Sequence, residues 1–258
     1  MSHQTTQHVF ITAGGSGIGL AMASAFLSQG AKVAVTDSNV AMLEDAKSRH
    51  PSLMTFQADV TNESEMQMAF DKVMGEWGRL DVMMANAGTA GPTAAIDDVS
   101  LADWQRCLAV NLDGCFLASK LAAPTMRKQK SGVITLTSST AGLWGYPYRS
   151  PYATAKWGII GLMKTLAMEL GPDGIRVNAI CPGSVEGDRM DGVIEREAAA
   201  RGITPEELRQ GYADCASLRR FVTAEDVSDM AVFLASPQAK SISGMVMSVD
   251  GHTEKVTL

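Results

Sequence analysis

Seven short apolar runs alternate along this chain with longer segments whose apolar residues recur every three to four positions. The runs cover 8–13, 32–37, 53–59, 80–85, 132–138, 174–180 and 244–249, and each fits a strand buried on both faces, which needs no polar–apolar alternation. The intervening segments 17–29, 40–48, 63–77, 102–128, 151–170 and 224–235 predict helices. Repeated strand–helix alternation implies a parallel sheet, because each crossover helix returns the chain to the same end of the sheet. The expected fold class is therefore α/β, a doubly wound parallel seven-stranded sheet with helices on both faces. With no linker, repeat or low-complexity stretch in 258 residues, one domain spanning 1–258 is expected. One segment breaks the rhythm. About 184–216 is rich in glycine and predicts two short amphipathic helices, near 190–200 and 205–213. Excursions of this length are commonly lids or binding loops, and a surface insert or subunit contact is the alternative.

The first run leads through Thr12-Ala13-Gly14-Gly15-Ser16-Gly17-Ile18-Gly19 into an apolar helix. Glycines there let backbone N–H groups approach a pyrophosphate, whose charge is favoured at a helix start. A glycine-rich loop alone is only a tight turn; its position after a strand, before a helix and upstream of an acid is what makes it informative. The acid is Asp37, at the end of the second run. Its carboxylate suits ribose hydroxyls and repels a 2′-phosphate, and Ser38 beside it brings no compensating cation, so NAD is expected over NADP. A solvated strand-end acid is the plainer alternative. The turn and acid make the sheet a Rossmann-type one.

Further motifs follow in order: Asp59-Val60, Asn86-Ala87-Gly88, Asn111 within Val110-Asn111-Leu112, Ser138-Ser139, Tyr152-x-x-x-Lys156 and Pro182-Gly183. Together with the glycine turn they make the chain resemble the short-chain dehydrogenase/reductase family in its roughly 250-residue form, over nearly all its length. Ala13 stands where the family has its first loop glycine. The resemblance implies a cofactor site made of Gly14, Ser16, Gly17, Ile18, Gly19, Asp37, Asp59, Val60, Asn86, Ala87, Gly88, Tyr152, Lys156, Pro182, Gly183 and Val185. It also implies a catalytic set of Asn111, Ser139, Tyr152 and Lys156, with Ser139 chosen over Ser138 because it lies thirteen residues before Tyr152. The residues themselves make chemical sense. Ser150 and Pro151 predict an N-cap and first helical residue, so Tyr152 starts a helix and Lys156 projects from the same face. A free phenol near pKa 10 is too weak a base at neutral pH, and a nearby ammonium favours its ionised form. Proton-coupled hydride transfer is implied. Tyr152 exchanges the alcohol proton, Ser139 holds the oxygen, Lys156 lowers the tyrosine pKa and grips the nicotinamide ribose, and Asn111 holds a water.

The substrate is less legible. The stretches 140–149 and 184–190 are expected to line its pocket, with Trp144, Tyr146, Arg149 and Arg189 as candidate contacts. The arginines suit a carboxylate or another oxygen-rich group, with surface pairing to Glu186 and Asp188 as an equal alternative. Trp144 and Tyr146 suit stacking on a substrate ring, and a place in the pocket wall or a subunit interface suits them at least as well. The expected substrate is a small polar hydroxy or keto compound: a hydroxy acid, sugar derivative or cyclic diol. Family members often carry Thr where Gly187 stands, and a second glycine where His252 stands; packing at an interface is the reading preferred for His252.

Composition limits the partners. Net charge is −6 and no more than two Lys/Arg residues are adjacent, so no footprint for nucleic acid is expected. No apolar run reaches bilayer length. The first seven residues lack the pattern of a secretory signal. Cys107, Cys115, Cys181 and Cys215 show no Cys-x-x-Cys spacing, and no metal site is expected. These features lead to the expectation of a cytoplasmic enzyme, and the resemblance implies a dimer or tetramer. A catalytically idle member serving as nucleotide sensor or scaffold is the rival reading, and the complete four-residue set argues against it. A sugar-nucleotide epimerase or dehydratase also uses Tyr-x-x-x-Lys, but such chains are usually longer.

Overall fold

A computed structural model describes residues 6–255. The reading of the first seven residues falls partly on 1–5, outside that range. Seven strands, β1 (His8–Thr12), β2 (Lys32–Asp37), β3 (Met54–Gln57), β4 (Val82–Ala85), β5 (Gly132–Thr137), β6 (Ile175–Pro182) and β7 (Val246–Val249), form one parallel sheet in the order β3-β2-β1-β4-β5-β6-β7. This is the doubly wound Rossmann-type sheet that the alternation predicts. The central strands β1 and β4 are buried throughout, and the edge strands β3 and β7 are only partly covered.

Successive strand residues feed opposite layers, as the two-residue side-chain period requires. Phe10, Ala34, Met83 and Ile134 point to a core shared with α3 (Glu63–Trp77), α5 (Gly114–Gln129) and α6 (Ser150–Leu170). Val9, Val33, Met84 and Ile180 point to the other, shared with α1 (Gly17–Ser28), α2 (Val40–Arg49) and α9 (Ala224–Ala235). The excursion carries α7 (Asp188–Arg201) and α8 (Pro205–Asp214), with a small core of its own around Ile194, Ala198, Leu208, Tyr212 and Phe221.

Two local expectations need correction. The single helix expected over 102–128 is α4 (Leu101–Leu108), a π-helical turn at Ala109–Asp113, and α5. The wider turn disturbs the backbone ladder, and the Asn111 amide compensates by donating to the Cys107 carbonyl at 2.8 Å. Ser150 is not the N-cap of α6. The chain turns sharply at Tyr148 (φ +62), and Arg149 takes the cap position, its carbonyl accepting from Ala153 N at 2.8 Å. Helix α6 therefore begins one residue early, with Ser150 Oγ buried and unbonded.

Candidate active site

The carboxyl ends of β1, β2, β4, β5 and β6 lie along one rim, and β1 and β4 flank the point where the strand order reverses. Crevices at such a point are where doubly wound sheets take ligands. In the turn after β1, Gly14 N donates to the Thr36 carbonyl at 2.9 Å and Gly15 N donates to Asp37 Oδ2 at 3.1 Å. Asn39 N holds the other Asp37 oxygen at 3.0 Å, so the carboxylate is pinned against the glycine turn. Gly17 has φ +51 and open space beside its α-carbon. A β-carbon at Gly19 would lie 2.0 Å from the Ala13 carbonyl oxygen, so only glycine lets α1 pack this close to the turn. Thr12 Oγ1 accepts from both Asn86 N and Ala87 N at 3.0 Å, tying the ends of β1 and β4 together. Asp59 and Val60 follow β3; Asp59 Oδ1 accepts from Thr61 N at 2.9 Å, and Val60 packs on Gly114.

The four residues implied as catalytic converge beyond β4 and β5. Lys156, almost fully buried, donates from Nζ to the Thr137 carbonyl at 2.9 Å and stands 5.5 Å from the Tyr152 ring centre. Burial would raise the Tyr152 phenol, but the charges of Lys156, Arg189 and Arg149 and a Ser139 hydrogen bond outweigh it, and the net movement is downward from 10.0. Ser138 and Ser139 face different tasks. Ser138 Oγ donates to the Lys156 carbonyl at 2.8 Å, locking β5 to α6, which leaves Ser139 as the hydroxyl on the phenol. Asn111 donates to Thr89 O at 3.1 Å as well as to Cys107 O, while its Oδ1 is buried with no partner. A β-carbon at Gly88 would sit 2.8 Å from that oxygen and 3.4 Å from Lys156 Nζ. Glycine at 88 thus keeps open a space bounded by an unbonded acceptor and an ammonium.

On the substrate side the structure separates the candidates. Arg149 is buried and stacks on the Tyr152 ring at 4.8 Å, and the charge of Arg189, in the first turn of α7, reaches the phenol. Tyr146 turns inward, sharing a hydrogen bond with Thr140 Oγ1 at 2.9 Å; burial raises its phenol. Trp144 is 41% exposed and is not among the residues of the cavity that Tyr146 helps to bound. A polar cavity beside the excursion is bounded by Thr140, Tyr146, Gly183, Ser184, Tyr212, Arg220, Asp250, Thr253 and Lys255, among others. Val185 bridges to Val222, fastening the start of the excursion. His252, with φ +65, shares a 2.6 Å hydrogen bond with Ser217 at the end of the excursion. Sequence reasoning missed Thr12 as the β1–β4 clasp, although it sits inside the glycine motif. It also missed the buried pair of Tyr212 and Glu197, for which no motif exists.

Among the described residues no group of His, Cys, Asp and Glu gathers as metal ligands, and no helix is long and apolar enough to cross a membrane. The family profile described as enoyl-(acyl carrier protein) reductase matches residues 12–252. The chain is 36% identical to 2-(S)-hydroxypropyl-CoM dehydrogenase 3 of Xanthobacter autotrophicus, covering 97% of this chain and 98% of that protein. It is 34% identical to D-beta-hydroxybutyrate dehydrogenase of Rhizobium meliloti, covering 95% and 98%. Among solved structures, that of NAD+-bound xylitol dehydrogenase superposes with a TM-score of 0.90 at 29% identity, over 95% of this chain and 98% of that one. Profile, relatives and sheet agree with the motif order, and the chain belongs to the short-chain dehydrogenase/reductase family of oxidoreductases.

Proposed function

We propose that the chain is an NAD-dependent oxidoreductase interconverting a secondary alcohol and a ketone on a small polar substrate, with Tyr152 as the acid/base. The observation that carries this reading is the partly buried Tyr152 phenol, whose pKa falls because cationic neighbours and Ser139 outweigh its desolvation. A base matched to its task is what a general acid–base mechanism needs. The residues present fit a nicotinamide dinucleotide. The turn from Gly14 to Gly19 would take the pyrophosphate and Asp37 the adenosine ribose. Asp59 and Val60 would flank the adenine, Asn86 to Gly88 and Lys156 would line the nicotinamide ribose, and Pro182, Gly183 and Val185 would bound the ring. When bound, the nicotinamide supplies the hydride acceptor or donor.

The chain's own part is orientation and proton handling. Ser139 hydrogen-bonds the substrate oxygen and keeps it at the Tyr152 hydroxyl. Tyr152 accepts the proton when an alcohol is oxidised and returns it when a ketone is reduced. Lys156 favours the phenolate, and the free Asn111 Oδ1 offers an acceptor for a water leading the proton towards solvent. The segment 184–216 serves as a lid over the substrate. Large apolar side chains exposed on α5 and α6, Phe116 and Trp157 among them, support assembly into a dimer or tetramer, and the compartment proposed for it is the cytoplasm.

The test is NADH formation with a panel of polar secondary alcohols as pH is varied. Oxidation needs the phenolate, so its rate rises with pH through the depressed pKa of Tyr152 and reaches half-maximum below pH 10.0. Ketone reduction needs the phenol and declines through the same window. Tyr152→Phe is expected to lose turnover by roughly a thousandfold or more while still binding NADH. A variant with near-native turnover overturns the assignment.

A further inference from the structure

The Arg149 guanidinium stacks on the Tyr152 ring without a carboxylate of its own, and the charge of Arg189 acts on the same phenol. Arg149 is 7% exposed, lies 4.8 Å from the Tyr152 ring centre, donates from Nη2 to the Ala90 carbonyl at 3.0 Å, and leaves its buried Nε unbonded. Among the described residues, no ion pair includes Arg149 or Arg189. Glu186 and Asp188 closely precede Arg189 in sequence, yet neither pairs with it among the described residues. A buried cation left without a counter-ion is costly, and proteins rarely keep one unless something binds there.

The buried carboxylate of the lid does not serve. Glu197 accepts from the Tyr212 hydroxyl at 2.6 Å and lies 2.8 Å from Arg201, its neighbour one helical turn on. Arg201 in turn stacks 5.6 Å from the ring centre of Tyr148, next in the chain to Arg149. The lid therefore brings its own cation for Glu197, and the Arg149 charge stays unbalanced. Arg189 comes from a different element, the first turn of α7, yet its charge acts on the same two groups as that of Arg149: the Tyr152 phenol and the Cys107 thiol. The Arg149 guanidinium thus stands beside the phenol at which a substrate oxygen must sit, and the Arg189 charge reaches that same phenol.

We infer that Arg149 and Arg189 form a subsite for a substrate carboxylate carried close to the reacting carbon, so that the substrates are short hydroxy acids and their keto acids rather than neutral sugars or cyclic diols. The inference rests on the reading of Tyr152 as acid/base. A planar guanidinium fork matches a carboxylate in two parallel hydrogen bonds, and it binds neither an ester nor a diol as well.

Lactate, 3-hydroxybutyrate and 4-hydroxyvalerate are each compared with their methyl esters as substrates with NAD, in the native protein, Arg189→Gln, Arg149→Lys and Arg149→Met. NADH binding, read by fluorescence, reports that each variant is folded. The native protein is expected to prefer at least one acid over its ester by roughly a hundredfold in kcat/KM. Arg189→Gln, an exposed position, is expected to cut that acid-to-ester ratio by roughly tenfold, mainly through KM. Arg149→Lys keeps the charge but not the fork, so it retains more of the ratio than Arg149→Met. Esters turned over as well as acids by the native protein, or a ratio unchanged in variants that bind NADH, would overturn the subsite while leaving the Tyr152 chemistry intact. Turnover of no acid, ester or neutral polyol defeats the functional reading, and the subsite with it.

Discussion

Ala13 sits in the left-handed region at φ +51, where its β-carbon crowds the following carbonyl. Its carbonyl oxygen is nevertheless needed in place, since Asn86 Nδ2 donates to it at 3.3 Å and Gly19 packs against it. The turn therefore keeps its shape and the alanine bears the strain. Ala13→Gly is expected to stabilise the protein by about 1 kcal/mol. Denaturant midpoints of the two proteins check this, and a destabilised variant would mean the alanine methyl makes packing contacts worth more than the strain. The same scale shows what a sequence discloses. Asn111, Ser139, Tyr152 and Lys156 stand at intervals that a motif captures, because each is fixed by the end of a strand or the face of a helix. The division of labour between Ser138 and Ser139 is a matter of side-chain direction at the end of β5, and only the interval to Tyr152 hinted at it. Arg149 could be named as a candidate from sequence, but its want of a counter-ion depends on partners dozens of residues away.

At the scale of elements, the excursion 184–216 is an added unit with its own small core, held near its two ends by isolated bridges outside the sheet. Val185 bridges to Val222 near its start, and Ala216 bridges to Thr253 at its foot, where Ser217 meets His252. Gly187 opens α7 at φ +122, a conformation closed to threonine, so the hydroxyl family members often use there has no equivalent in this backbone. Between α7 and α8 the one buried polar link is the Tyr212 hydroxyl on Glu197 at 2.6 Å. Removing a donor to a buried carboxylate costs about 2 kcal/mol. Tyr212→Phe is therefore expected to speed hydrogen exchange at the amides of α7 and α8 by roughly tenfold or more, with the sheet amides unchanged. Uniform acceleration across the sheet would show that the lid is not a separate cooperative unit. Periodicity found both lid helices within two residues at their starts, because each carries a clear apolar face. It passed over the π-helical turn at Ala109–Asp113 because the segments on either side are each regular in themselves, and a single wide turn leaves no mark on composition.

For the molecule as a whole, cofactor binding and stability are tied together, because the residues that would hold the dinucleotide end five of the seven strands. A ligand that binds only the folded form at a hundred times its Kd adds about 2.7 kcal/mol of stability, and a domain of this size gains about 2 to 4 °C for each kcal/mol. NADH at that saturation is expected to raise Tm by about 5 to 10 °C. NADPH differs by a phosphate that would face Asp37, whose two carboxylate oxygens are held by Gly15 N and Asn39 N and cannot turn away without breaking both bonds. Ser38 follows directly and no cation stands beside it in the sequence, so these neighbours would offer the added negative charge no counter-charge. NADPH at the same concentration is therefore expected to raise Tm by no more than about 2 °C. Asp37→Asn keeps the size of the side chain and removes its charge, so it should bring the two shifts closer together. Scanning calorimetry at one fixed protein concentration reads all of these, which keeps any subunit association constant. An NADPH shift equal to that of NADH in the native protein would show that Asp37 does not face the 2′ position, and the preference for NAD would fall with it.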